Sequence, residues 1–310
     1  MYYLVYGLLY LVSLIPLRIL YLLSDAVYGL LYYIIRYRRE VVMSNLDIAF
    51  PNETIAWKIK TAKEFYQNFT DSFIESIKMI SASDSYILKR LTGNWEVLND
   101  LHKSGKSCYL LLGHYFNWEW GNLSVGLNID YTLLVVYMPI SNKILDRLFL
   151  KLRSRGKTKM LSAHHLRRDL MPFRNEQYAL ALVADQNPGG PDNAYWLNFF
   201  GRPTPFVTGP EKGARPRNLP LAFCYIEKVR RGYYHFVISV DEENIRGLKE
   251  GELTVKYVRH LENIIRKQPA MWLWSHNRWK HTWKNDYQKL WVDQAELMPQ
   301  ENTKEGIESH

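Results

Sequence analysis

Cysteine is nearly missing from this 310-residue chain: Cys108 and Cys224 are its only two. Both lie in apolar, strand-like runs and read as small buried hydrophobes. A disulfide framework is therefore not expected, and a reducing compartment is compatible. Metal-ligand spacing is missing too. His164 and His165 are adjacent and point apart on either a helix or a strand, so they read as structural or surface residues, and no metal is expected. No Gly-x-Ser-x-Gly elbow occurs, which argues against a serine lipase or thioesterase. Zinc-finger spacing, an RNA-recognition signature and a Lys/Arg tract are all absent, so nucleic acid is not an expected partner. A signal peptide is not indicated, because the start is not basic and no small-residue cleavage site follows. There is no internal repeat.

Hydrophobic residues are plentiful, at 47%, against 23% charged, and one large globular domain is the simplest reading. The formal net charge is +9. A basic chain suits an anionic membrane, nucleic acid or an acidic protein. The 10 Trp and 22 Tyr tip that choice towards a membrane surface, where amphipathic aromatic rings gather.

Residues 1–35 form the most apolar segment, although Pro16, Arg18 and Asp25 interrupt it. A spanning helix needs about 20 apolar residues. Three readings follow: one helix spanning from Tyr2 to Leu23, a helical pair lying in one leaflet, or a buried hairpin. Arg36, Arg38 and Arg39 come next. Basic flanks stay on the cytoplasmic side, so the globular part is expected to face the cytosol. The chain thus divides into a membrane anchor (1–35), a globular domain (36–295) and a polar, disordered tail (296–310).

Asn45 to Asn52 reads as a turn-rich linker. Ala62, Phe65, Tyr66, Phe69, Phe73, Ile77 and Ile80 then recur at helical spacing, as the core stripe of a long helix. Cys108 to Leu112 is a short apolar run closed by Gly113, as suits a strand buried on both faces. Tyr131–Val136 and Tyr178–Ala184 are further strands. With helices between them they imply an α/β fold with a mostly parallel sheet. Leu219–Ile226 and Tyr233–Val240 read as a hairpin, and Leu253–Arg266 as an amphipathic helix. Tyr195–Thr208 reads as an aromatic loop, with Phe199-Phe200-Gly201 at its middle. Met271–Lys284, rich in Trp and basic residues, reads as a membrane–water boundary.

His114 follows the strand at once, and ligands of open α/β sheets gather at such carboxyl ends. Glu119 lies five positions on. On one helix the two side chains would stand roughly 140° apart. With His114 on the turn and Glu119 in the next turn or first helical turn, the carboxylate can fold back onto the imidazole. A histidine so held has a fixed tautomer and a stabilised cation, as a general base requires. Asp185, with Gln186 beside it, repeats that placement at the end of another strand. Arg153 and Arg155 close a helix, and a guanidinium is a natural bidentate partner of phosphate.

His114-x-x-x-x-Glu119 after an apolar strand resembles the catalytic motif of the glycerolipid acyltransferases. Asn45-Leu46 through Phe50-Pro51, Ala184-Asp185-Gln186, Phe199-Phe200-Gly201-Arg202-Pro203, Thr208-Gly209-Pro210 and Trp272-Leu273-Trp274 to Arg278-Trp279-Lys280 follow in order. Together they resemble the bacterial lipid A late (secondary) acyltransferases of the lauroyl/myristoyl type, over about residues 20–285. Asn187 departs from the pattern, since some members carry a second aspartate there. The resemblance implies a glycerolipid-acyltransferase-like sheet and an enzyme at the inner membrane. It implies acyl carrier protein as donor and partner, a lipid A precursor as acceptor, and no cofactor beyond the acyl thioester. It makes His114 the base and Glu119 its partner. Arg215 matches the basic residue after the Thr-Gly-Pro word; with Arg153, Arg155, Asp185, Gln186 and Arg278 it completes the expected substrate contacts. Another lipid acceptor (a lysophospholipid, aminolipid or glycolipid) or a non-enzymatic membrane binder are the alternatives.

Overall fold

The computed structural model describes residues 1–242 and 245–294; the proposed tail, 296–310, lies outside them. The helices are α1 (Tyr2–Leu14), α2 (Leu17–Gly29), α3 (Arg39–Ala49), α4 (Ile55–Lys78), α5 (Asp84–Leu88), α6 (Glu96–Lys103), α7 (Trp118–Asn128), α8 (Lys143–Arg153), α9 (Leu166–Leu170), α10 (Gly209–Ala214) and α11 (Glu252–Lys267). The strands are β1 (Leu91–Gly93), β2 (Cys108–Leu112), β3 (Thr132–Tyr137), β4 (Lys159–Ser162), β5 (Tyr178–Val183), β6 (Ala194–Phe199), β7 (Arg202–Val207), β8 (Leu221–Arg230) and β9 (Tyr233–Glu242).

Seven strands form one sheet in the order β1-β9-β8-β2-β5-β3-β4. Every pairing is parallel except the β8–β9 hairpin. The α/β expectation holds, and the apolar run Cys108–Leu112 is a central strand, as its length and closing glycine require. Both cysteines are buried and free.

The N-terminal segment is a helical pair rather than one rod. Pro16 breaks it, because proline lacks the N–H that would continue the ladder. From Leu17 to Ile34 the chain stays helical, ending in a π-helical turn, and is long and apolar enough to cross a membrane by length and composition. It also runs antiparallel along α4, and polar contacts tie both α1 and α2 to that helix. Lys78 Nζ donates to the Ser13 carbonyl (2.7 Å), Ser24 Oγ to Asp71 Oδ1 (2.7 Å) and Gln67 Nε2 to Asp25 Oδ1 (3.3 Å). Arg231, from the β8–β9 turn, grips both Asp25 and Asp71. The inner side buries Leu17, Leu20 and Tyr32, whereas Ile19, Leu22 and Leu23 stay exposed.

Because these residues share the core, deleting 1–35 is expected to unfold the chain and not merely release it from membranes. The loss includes three buried large side chains, each worth about 1.5–3 kcal/mol. Circular dichroism of the truncated protein is the check. A deletion variant that unfolds at the wild-type temperature would show the pair to be a detachable anchor.

Four local readings change. Asn45 lies within α3, buried, its amide donating to the carbonyls of Trp274 (2.7 Å) and His276 (2.8 Å); it is a clamp and not part of a linker. Tyr195–Thr208 is largely the β6–β7 hairpin, closed by Phe200 and Gly201 at φ 53° and 75°, the left-handed pair that a two-residue turn needs. Within Met271–Lys284, Trp272 and Trp274 are fully buried, so this stretch is core at its start and not a membrane belt. Phe73, assigned above to the core stripe of α4, is half exposed.

Candidate active site

β2 and β5 run parallel in register, with Cys108 opposite Ala179 and Leu112 opposite Val183. Two residues beyond each strand end come His114 and Asp185, so the ladder itself delivers them to the same place on the rim. The register persists past the strands, since Ala184 N still donates to the Leu112 carbonyl (3.1 Å). His114 Nδ1 stands 2.6 Å from Asp185 Oδ1, and the His114 backbone N–H donates to Asp185 Oδ2 at 2.7 Å. Trp272 Nε1 gives that same oxygen a further bond, at 2.6 Å.

Gly113 makes this approach possible. A Cβ there would meet Leu261 Cδ1 at 2.8 Å and Tyr115 Cε2 at 2.9 Å, and would press on Asp185 Oδ2 at 3.3 Å. Across the turn, Phe116 N donates to the Met271 carbonyl (3.1 Å) and Leu273 N to the His114 carbonyl (3.1 Å). Residues 271–273 therefore strap the turn to the body. Asn45 and Asn68 hold the strap from outside, Asn68 through the Ala270 carbonyl at 2.9 Å.

Asp185 is 1% exposed and His114 26%. Burial opposes a charge on Asp185, yet attraction to His114 and the bonds from His114 and Trp272 hold its carboxyl below the usual range. An ionised carboxylate only accepts, so the bond to Asp185 calls for a proton on Nδ1 of His114, and the neutral tautomer that fits it leaves Nε2 as an acceptor. This is the electronic arrangement of a general base. The Trp118 ring meets the imidazole edge to face, with centroids 5.9 Å apart.

The partner assigned from spacing was Glu119, and here the structure corrects the sequence. Asn117 caps α7, so Glu119 falls in the first helical turn and faces α8 instead of the imidazole. Its carboxylate is gripped by Arg153, Nε to Oε2 at 2.9 Å and Nη2 to Oε1 at 2.6 Å, and accepts from Trp118 Nε1 at 3.0 Å. Burial works against the Arg153 cation, but Glu119 more than offsets it and raises the guanidinium's pKa.

The other arginines are also engaged by protein. Arg155 donates to the carbonyls of Met79 (2.7 Å) and Ala82 (3.0 Å) and pairs with Asp84. Arg215 donates to the Leu248 carbonyl and lies 4.0 Å from Glu211. Arg278 is wholly buried, not at a groove rim. It donates to Asn187 Oδ1 (3.0 Å) and the Pro205 carbonyl (2.8 Å) and stacks over Phe206 at 4.1 Å. Asn187 in turn donates to His276 Nε2 (3.0 Å), whose imidazole burial and Arg278 pull down to about 4. These contacts shape the loop after Asp185, on which Gln186 sits half-buried. His164 and His165 are exposed. Among the described residues no three His, Cys, Asp or Glu side chains gather as a metal site.

Asn45, Asn117, Trp272 and His276 were not singled out as site residues by sequence reasoning. Only Asn45 and Trp272 left a trace, as members of the ordered motif words.

A search among curated proteins finds no match. The residue pattern of the bacterial lipid A biosynthesis acyltransferases, by contrast, runs through residues 1–281, from the first helix past the strap that holds the His114 turn. A single family pattern thus takes in both the N-terminal helices and the strand ends that form the dyad, and the chain belongs to the bacterial lipid A biosynthesis acyltransferase family.

Proposed function

We propose that this acyltransferase is of the late (secondary) type and moves a fatty acyl group from acyl carrier protein to a hydroxyl of a lipid A precursor. The observation that carries the mechanism is the His114–Asp185 pair, with Nε2 of an accessible imidazole left as acceptor. Nε2 takes the proton of the acceptor hydroxyl as its oxygen attacks the thioester carbonyl. The C–S bond breaks, and the imidazolium returns the proton to the departing thiolate. Asp185 holds the tautomer and stabilises the cation. No metal or organic cofactor is required. Glu119 acts through Arg153, whose side chain is 20% exposed and suited to a lipid or donor phosphate. Gln186, next to Asp185, is the second substrate contact we retain. Arg155, Arg215 and Arg278 serve the fold.

The net charge of +9 suits both an anionic membrane and an acidic carrier protein. The exposed side of α2, backed along its length by α4, supports a helical pair lying in the membrane surface. Arg36, Arg38 and Arg39 support placement on the cytoplasmic side of the inner membrane.

The test is transfer by the full-length protein in lipid nanodiscs, with product read by mass spectrometry. Acyl carrier protein and coenzyme A thioesters are compared as donors, and a lipid A precursor, a lysophospholipid and an aminolipid as acceptors. Product on the lipid A precursor, formed fastest from the carrier protein, is expected. Preference for another acceptor would overturn the substrate assignment while leaving the chemistry.

A further inference from the structure

Behind the His114 turn lies a buried carboxylate that the mechanism above does not use. Glu75, on α4, is fully buried. It accepts from three different elements. Tyr21 of α2 donates its hydroxyl to Oε1 (2.5 Å), Tyr234 of β9 donates to Oε2 (2.9 Å), and Asn117 Nδ2 donates to Oε2 (2.6 Å). The Glu75 backbone carbonyl accepts from Trp120 Nε1 (2.9 Å). Asn117 is the residue that caps α7, its side-chain oxygen accepting from Trp120 N at 3.3 Å, and it stands three positions after His114. One helical turn earlier, Asp71 ties Ser24 of α2 to Arg231.

Such a cluster is a costly way to glue helices together. Burial pushes the Glu75 carboxyl up to about 7 against hydrogen bonds from Tyr21 and Tyr234. Apolar side chains of similar volume would join α2 to α4 at lower cost. What polar contacts supply is direction: Glu75 fixes where Asn117 points, and Asn117 fixes where the turn enters α7. The helix that supplies Tyr21 shows Ile19, Leu22 and Leu23 to the outside. The same turn of α2 therefore carries both the apolar outer face and the hydroxyl on Glu75.

We propose that Glu75 is a positioning residue for acyl transfer: it orients the His114 turn through Asn117, and the hydroxyl of Tyr21 makes proper seating of α2 a condition of turnover. This rests on His114 being the base, which His114→Ala tests separately.

The experiment uses full-length protein in nanodiscs and compares Tyr21→Phe, Glu75→Gln, Asn117→Ala and the Tyr21→Phe/Asn117→Ala pair. Three quantities are read: steady-state constants with whichever acceptor the wild type uses, hydrogen exchange of the 114–120 segment, and thermal unfolding. Removing one hydrogen bond that matters only for geometry is expected to lower kcat about tenfold in Tyr21→Phe, with KM little changed. Exchange should rise locally across 114–120. The double variant should lose less than the product of its single losses, since both act on one link. Unchanged kcat and exchange in folded Tyr21→Phe and Glu75→Gln would overturn the proposal. So would a loss that tracks thermal stability alone, with exchange raised throughout the chain.

Discussion

Replacing His114 with alanine is expected to remove acyl transfer by about 10²–10⁴-fold, the usual worth of a positioned general base. The protein should still fold. His114 is partly exposed, and without its ring Asp185 keeps its bonds from the backbone N–H of residue 114 and from Trp272. Stability should fall modestly. Asp185 is a carboxylate with a lowered pKa, so its pairing stabilises the fold above pH about 4, and that contribution is lost as pH drops through the folded value. At neutral pH it is fully present, and His114→Ala removes the imidazole's share. Asp185→Asn should cost transfer on a similar scale by a different route. An amide can donate to Nδ1 and so favour the wrong tautomer, with the proton on Nε2. Rates by product mass spectrometry beside unfolding curves decide the matter. Near-wild-type turnover by folded His114→Ala protein would remove the base from the mechanism.

That partner was half legible in the sequence. The apolar runs of β2 and β5 and their closing residues place His114 and Asp185 at equivalent strand ends. Their meeting depends on β2 and β5 being neighbours in a sheet ordered β8-β2-β5-β3, and a separation of 71 residues carries no trace of that. Glu119 drew attention because it is near in sequence, but the cap at Asn117 starts a helix that turns it towards α8. The strand runs and the long α4 were readable because burial on two faces or one stripe imposes a period on the residues themselves. Asn45 was misread since asparagine near a proline usually marks a turn, and nothing local reveals two distant carbonyls. Trp272 and Trp274 were misread for a related reason. An amphipathic ring suits a membrane boundary, but it suits a core equally where its N–H finds an acceptor, here Asp185 and the Pro269 carbonyl.

Glu119→Ala is expected to damage stability and rate together. It strips the countercharge from Arg153, a cation 20% exposed, and takes an acceptor from Trp118. Breaking a buried pair by removing one side costs about 3–5 kcal/mol, and the remaining exposure of Arg153 puts this case near the lower end. Arg153→Leu alone leaves Glu119 buried without its partner, and should cost a comparable amount. Removing both charges at once, Glu119→Met with Arg153→Leu, should recover much of the lost stability. It should not recover transfer if Arg153 meets a substrate phosphate, and KM for the phosphorylated substrate should then stay high. The split between kcat and KM separates this account from the one that spacing implies. Glu119 makes no contact with the imidazole, so Glu119→Met with Arg153→Leu should keep kcat near the wild-type value and lose mainly in KM, whereas Asp185→Asn should lower kcat. A fall in kcat in that double variant as large as the one in Asp185→Asn would return Glu119 to the imidazole.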